Sequence, residues 1–131
     1  MSEVIRIPCF GENDGKLIAF EPNMISGFEI NRLFYIFDVP SGAVRANHAC
    51  MNSKIVMIAV NGSVSISIET NGKTEEYQLT SNSNGLIVPE ASWMRAYNFS
   101  EDAILMCLSD KQYRDCEYID DYEEYQRRTS V

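Results

Sequence analysis

From Ser63 to Thr70 the order SVSISIET alternates polar and apolar residues without a break, and Asn71-Gly72 follows at once and leads into Lys73 to Leu79. Alternation with a period of two puts Val64, Ile66 and Ile68 on one face of a strand and the serines on the other. Asparagine followed by glycine tolerates the positive φ angles that a two-residue turn demands. The segment therefore reads as a β-hairpin with one buried face, the strongest such signal in the chain.

The rest of the chain repeats the theme. Val4, Ile5 and Ile7 before Pro8 predict a short strand, and Lys16 to Glu21, KLIAFE, predicts the next. Phe28 to Asp38 is extended and rich in aromatic and branched residues, with an aromatic strand at Leu33 to Phe37. Ile55 to Val60, IVMIAV, is apolar throughout, as suits a strand buried on both faces. Leu86 to Val88, Trp93 to Phe99 and Ala103 to Ser109 complete the set, and Asp120 to Arg128 predicts a short helix. Some nine or ten short strands at roughly eight-to-twelve-residue spacing, with glycine turns and hardly any helix, indicate a sandwich or barrel. An all-β, double-sheet jelly roll with a short C-terminal helix fits best. Its expected core is Ile55, Met57, Ile66, Ile68, Leu86, Val88, Ile104, Met106 and Leu108.

At 131 residues the chain fits a single domain, 1–131, large enough for a core without metal or disulfide staples. No apolar run approaches the length that spans a bilayer, and the start, MSEVIRIPCFGEN, does not read as a signal peptide, so the expectation is a cytoplasmic protein. Cys9, Cys50, Cys107 and Cys116 are too dispersed for a zinc or redox pair and read as reduced thiols. The net charge of -8 argues against nucleic acid or an anionic membrane as partner. An anionic small ligand remains compatible, provided that a local arginine cluster overrides the global field.

The only histidine lies in Tyr35 to Lys54, YIFDVPSGAVRANHACMNSK. The aromatic strand enters a turn at Pro40, Ser41 and Gly42, and the chain leaves it as Arg45, Ala46, Asn47, His48, Ala49, Cys50. Regular alternation would send Arg45, Asn47 and Ala49 to one face and Ala46, His48 and Cys50 to the other. Taken with Gly42, Lys54 and Gly62, and then Gly85, Pro89, Ala91, Met94 and Asn98, the order resembles the bipartite signature of the cupin fold. In metal-binding cupins the first motif offers two histidines and an acid, and the second motif adds a further histidine. Here His48 stands with Cys50, Lys54 and Met94. A protonated lysine has no lone pair to give, and one imidazole with a thiol and a thioether suits a hard or borderline cation poorly. No metal and no other cofactor is expected.

Further motifs narrow the resemblance. Arg32 to Asp38 (RLFYIFD), Arg45 to Ala49, Val60-Asn61-Gly62, Trp93, Asn98-Phe99-Ser100, and the ending from Leu108-Ser109-Asp110 through Tyr113, Tyr118-Ile119 and Tyr122 resemble the sugar 3,4-ketoisomerases of the WxcM-like cupin group. The likeness runs from Gly15 to about Tyr125. It implies action on a thymidine-diphosphate-linked 4-keto-6-deoxyglucose in deoxysugar biosynthesis for O-antigen or other surface glycans, with the keto group moved from C4 to C3 without metal or coenzyme, and a homodimer.

That chemistry needs a base with a pKa near neutrality, and His48 is the one side chain whose ordinary pKa meets the need. Tyr35 is the candidate donor to the developing oxyanion. Arg45 and Arg32 resemble family positions near the ligand, and arginine forks suit diphosphate oxygens. Trp93 reads equally as a surface that stacks on the ligand and as a core aromatic, and Cys50 equally as a ligand-wall residue and as a packed thiol. The tyrosine-rich tail reads as packing on the sheet or on a second subunit. Two positions depart from the family pattern: Cys50 where the second histidine of a His-x-His would stand, and Met94 where a histidine would follow Trp93. Two functions stay open on this ground, an isomerase and a nucleotide-sugar-binding cupin without catalysis.

Overall fold

A computed structural model describes residues 1–130. The strands are β1 (Glu3–Arg6), β2 (Phe10–Glu12), β3 (Gly15–Leu17), β4 (Arg32–Phe37), β5 (Arg45–Cys50), β6 (Ile55–Asn61), β7 (Val64–Thr70), β8 (Lys73–Leu79), β9 (Asn84–Val88), β10 (Ser92–Tyr97), β11 (Ile104–Ser109) and β12 (Tyr118–Ile119). A 3-10 turn, Tyr113–Asp115, precedes β12, and the helix α1 spans Tyr122–Thr129. Two five-stranded sheets face each other, one ordered β1-β9-β6-β11-β4 and the other β12-β5-β10-β7-β8, while β2 and β3 form a separate ribbon. All the strand pairs are antiparallel. This is the all-β jelly-roll arrangement expected, with the short C-terminal helix.

The hairpin forms as its sequence requires. β7 and β8 pair from Val64↔Leu79 to Thr70↔Lys73, and Asn71 and Gly72 sit at φ 54° and 76°, the two positive angles of a type I′ turn. Its apolar face meets the opposite sheet in the main core, where Val64, Ile66 and Ile68 pack with Met94 and Ala96 of β10, Ile55 and Met57 of β6, and Leu86 and Val88 of β9. Each fully buried aliphatic side chain contributes about 1.5–3 kcal/mol.

A second apolar layer covers the outer face of the first sheet. Val56, Ile58, Met106 and Leu108 point that way, against Ile7, Phe28 and the partly buried Phe20, Met24, Ile25 and Ile30. That layer explains why IVMIAV is apolar on both faces, and it corrects the expected core. Met106 and Leu108 belong to the outer layer and Ile104 is only half buried, while Leu105 and Cys107 face the other sheet. A strand apolar at every position gives no alternation from which to choose its face.

The N-terminal third departs most from expectation. Lys16 to Glu21 is strand only to Leu17, paired back on β2, and Phe28 to Asp38 is strand only from Arg32. Between them the chain coils, closed by Phe28 N–H to the Ile25 carbonyl at 3.1 Å and Ile30 N–H to the Pro22 carbonyl at 3.1 Å. The apolar residues there pack as loop side chains. β12 adds a strand absent from the sequence reading, and α1 begins later than Asp120 because Asp121 is the N-cap: its carboxylate accepts from the backbone N–H groups of Glu123 and Glu124.

Candidate active site

Between the two sheets lies a cavity of about 670 Å³ lined by β4, β5, β6, β10, β11 and the segment from Tyr113 to Asp120. Its volume is that of a small-molecule site. His48 stands on β5 opposite Met94 of β10, and both line it. Arg32 enters from β4 and Arg45 from the start of β5.

The presence of Arg45 contradicts strict alternation and has a local cause. The β5–β10 register runs Met94↔His48 and then Arg95↔Ala46, so Asn47 is left over as a bulge. Ala46 and Asn47 both have positive φ, 66° and 59°. Beyond the bulge Arg45 lies opposite Ala96, whose side chain is in the core, and so shares the cavity with His48 although the two are three positions apart. Asn47 instead accepts a hydrogen bond from the Trp93 indole at 3.3 Å, on the far side of the sheet.

His48 is half buried. Burial lowers its pKa from the ordinary 6.5, the neighbouring Asp120 carboxylate raises it and the Arg32 guanidinium lowers it, with the net effect downward. A neutral imidazole at pH 7 keeps its lone pair free. The rings of Tyr118 and His48 meet in a T-shaped contact with centroids 5.0 Å apart. Arg32 Nη1 donates to the Tyr118 hydroxyl oxygen at 2.8 Å, and the guanidinium lies 4.4 Å from the Phe34 ring centre and 5.0 Å from that of Tyr113. Stacking between two rings fixes its plane.

Five of the expected site residues, His48, Tyr35, Arg45, Arg32 and Met94, line this cavity, and Trp93 and Cys50 are placed elsewhere. Tyr35 contributes to the wall, but along β4 it alternates outward with Leu33 and Phe37. It pairs with Met106, which points to the outer layer, and its ring lies 6.1 Å from that of Phe37. The inward residue beside it is Phe34, which has no proton to give. Trp93 is on the opposite face of β10 from Met94, buried with Ala49, Ile119 and Tyr125 beneath α1. Cys50 is packed in the main core away from the cavity wall, where burial and the Cys116 thiol push its pKa up to about 12. Of the two readings of Cys50, this placement favours the packed thiol.

Sequence reasoning gave no site role to Tyr113, Tyr118 and Asp120, although the two tyrosines belong to the ending that carries the family resemblance. The recurrence of tyrosines and acids in the tail was visible, but its attachment was not. Asn52, just after β5, donates to the Asp115 carbonyl at 2.8 Å and accepts from Glu117 N–H at 2.9 Å, and Met51 N–H donates to the Glu117 carbonyl at 2.9 Å. These bonds lay the segment across the mouth of the cavity. Farther on, α1 does pack on the sheet as expected, through Tyr125. As for a metal, the cavity wall carries one imidazole, the Asp120 carboxylate, the buried Cys107 thiol and the thioethers of Met57 and Met94, with no second imidazole to join His48. Among the described residues no group of three or more His, Cys, Asp or Glu side chains is placed to hold an ion.

Comparison with known proteins gives a consistent picture. The family model FdtA, described as WxcM-like, C-terminal, matches residues 1–130. A TDP-4-oxo-6-deoxy-alpha-D-glucose-3,4-oxoisomerase of Aneurinibacillus thermoaerophilus is 30% identical over 126 residues, 96% of this chain and 91% of the relative. Among solved structures, a 3,4-ketoisomerase from Helicobacter canadensis superposes with a TM-score of 0.90 at 30% identity, covering 98% of this chain and 96% of that one. A variant of the 3,4-ketoisomerase QdtA from Thermoanaerobacterium thermosaccharolyticum, in complex with TDP-4-keto-6-deoxyglucose, superposes with a TM-score of 0.91 at 25% identity, covering 98% and 93%.

Proposed function

The chain belongs to the FdtA family of WxcM-like proteins, and from that membership we propose that it is a sugar-nucleotide 3,4-ketoisomerase, converting a TDP-4-keto-6-deoxyhexose to its 3-keto isomer. The observation that carries the reading is His48: one half-buried imidazole, held neutral by its surroundings, in a cavity with two arginines.

The reaction moves a hydrogen from C3 to C4 and the carbonyl the other way. His48 takes the proton from C3, the carbanion is held as an enediolate across C3 and C4, and the imidazolium returns the proton to C4. Neutral His48 is ready to accept, and Asp120 nearby favours the imidazolium once it forms. Arg45 is exposed at the start of β5 and takes the diphosphate, while Arg32, stacked and already donating to Tyr118, adds positive charge deeper in the cavity. Together they supply the local positive field that a protein of net charge -8 needs to receive an anionic ligand. No step calls for a metal or coenzyme, because the ketone itself acidifies the adjacent C–H.

The same reading places the protein in the cytoplasm, in the supply of unusual deoxysugars for lipopolysaccharide or other surface glycans, and as a homodimer of single-domain chains. Support for the dimer is the outward stripe Leu33, Tyr35 and Phe37 on the edge strand β4, exposed by 48%, 58% and 56%. Incubation with TDP-4-keto-6-deoxyglucose, followed by carbon-13 NMR of the keto carbon, tests the function. The keto signal moves from C4 to C3 with the native protein, and His48→Asn slows that movement on the order of a hundredfold or more, the scale of losing a general base. Equal rates for the two proteins would rule out His48 as the base.

A further inference from the structure

The geometry points to Tyr118 as a second catalytic residue, the group that carries a proton between the two substrate oxygens while His48 serves the two carbons. The inference rests on the isomerase reading and extends it. Moving a hydrogen from C3 to C4 leaves a second hydrogen misplaced, because the substrate has its hydroxyl at C3 and the product has it at C4. The cavity therefore needs a hydroxyl-sized group able to give a proton to one oxygen and take one from its neighbour.

Few of the lining side chains qualify. Phe34 has no proton to exchange, Tyr35 faces outward, and Tyr113 stands at the mouth with 67% of its surface exposed. Cys107 is fully buried, with its pKa pushed up to about 12. Tyr118 remains. Its ring meets that of His48 in a T-shaped contact with centroids 5.0 Å apart, which brings the phenol within reach of the oxygens of a sugar whose carbon is held at the imidazole. Its oxygen accepts from Arg32 Nη1 at 2.8 Å. Arginine only donates, so this contact does not use the phenolic proton, for which the neighbouring Cys116 sulfur is a weak acceptor. The guanidinium, clamped between Phe34 and Tyr113, also lies where it stabilises a phenolate. Burial raises the pKa of Tyr118 and Arg32 works against that rise.

The step balances. As His48 removes the C3 proton, the C–H electron pair becomes the C3=C4 bond, the carbonyl π pair moves to O4, and O4 takes the proton of Tyr118. The phenolate then removes the O3 proton. That O–H pair re-forms a carbonyl at C3, and the C3=C4 pair takes the proton of the imidazolium at C4. Both residues end as they began, and nothing is oxidised or reduced overall.

Tyr118→Phe removes only the hydroxyl, and its kcat on TDP-4-keto-6-deoxyglucose is expected to fall on the order of a hundredfold. KM and melting temperature should stay close to those of the native protein. A kcat within about threefold of native would overturn the assignment and leave the isomerase reading intact, whereas a native protein without turnover would sink both. If Tyr118→Phe does not fold, 3-fluorotyrosine incorporated at position 118 keeps the shape and makes the phenol more acidic. Tyr118 must start protonated, so the alkaline limb of the kcat profile then moves to lower pH. The charged and titratable groups facing that hydroxyl, Arg32, His48, Cys116 and Asp120, are unchanged in this variant, and an unmoved limb overturns the proposal.

Discussion

The proton affinity of His48 is set by two neighbours of opposite sign and by burial, which prevails. Its folded pKa lies below the ordinary 6.5, so the unfolded chain holds the proton more tightly. The consequence for stability has a definite sign: the contribution is fully present above pH 6.5 and is lost as the pH falls from there through the folded value. Activity should follow the same group, with the acid limb of the kcat/KM profile below pH 6.5 in the native protein. A limb above 6.5 would mean that Asp120 outweighs burial. Cys50 reads as the other class of residue, a packed thiol. Cys50→Ala should keep kcat within about threefold while costing about 1 kcal/mol in urea unfolding, since a small side chain is lost from a filled core. A large loss of rate with the fold intact would return Cys50 to the site.

At the scale of elements, the bulge at Asn47 and the packing of α1 do most to place the site. Ala46 holds a positive φ of 66°, a region that costs an alanine roughly 1–2 kcal/mol, so Ala46→Gly should hold or raise the melting temperature while leaving Arg45 in place. Tyr125 is 1% exposed, with its hydroxyl 2.8 Å from the Ala91 carbonyl and 3.0 Å from that of Glu69. Tyr125→Ala should therefore cost about 3–5 kcal/mol by chemical denaturation, the range for removing a buried aromatic. These two elements mark where sequence reading stops, and the β7–β8 hairpin marks where it succeeds. The β7–β8 hairpin is legible because alternation and Asn71-Gly72 act locally, and His48 because no other imidazole competes for the role. The bulge is invisible in RANHAC, since two small or polar residues carry no sign that one of them will go unpaired. Trp93 takes its face from the helix that buries it, and Tyr118 joins the site through the pairing of β12 with β5 and the hydrogen bonds made by Met51 and Asn52, some sixty residues earlier in the chain.

For the whole molecule, layering explains both what is covered and what is left open. The N-terminal coil covers the outer face of one sheet and α1 covers the other, yet Leu33, Tyr35 and Phe37 remain uncovered along an edge strand. Edge strands with an apolar face invite pairing. Light scattering at micromolar concentration should give about twice the chain mass of 14.9 kDa, and Leu33→Asp should bring it back to that mass. The central claim is that His48 moves a proton between adjacent carbons of a TDP-linked ketosugar bound between the sheets. The direct measurement is proton NMR of TDP-4-keto-6-deoxyglucose incubated with the native protein in deuterated water. The account predicts the 3-keto isomer, with deuterium entering at the carbons that exchange their proton through His48. Bound nucleotide sugar that over hours shows neither product nor deuterium at C3 would contradict it, and would leave a cupin that holds its ligand without turning it over.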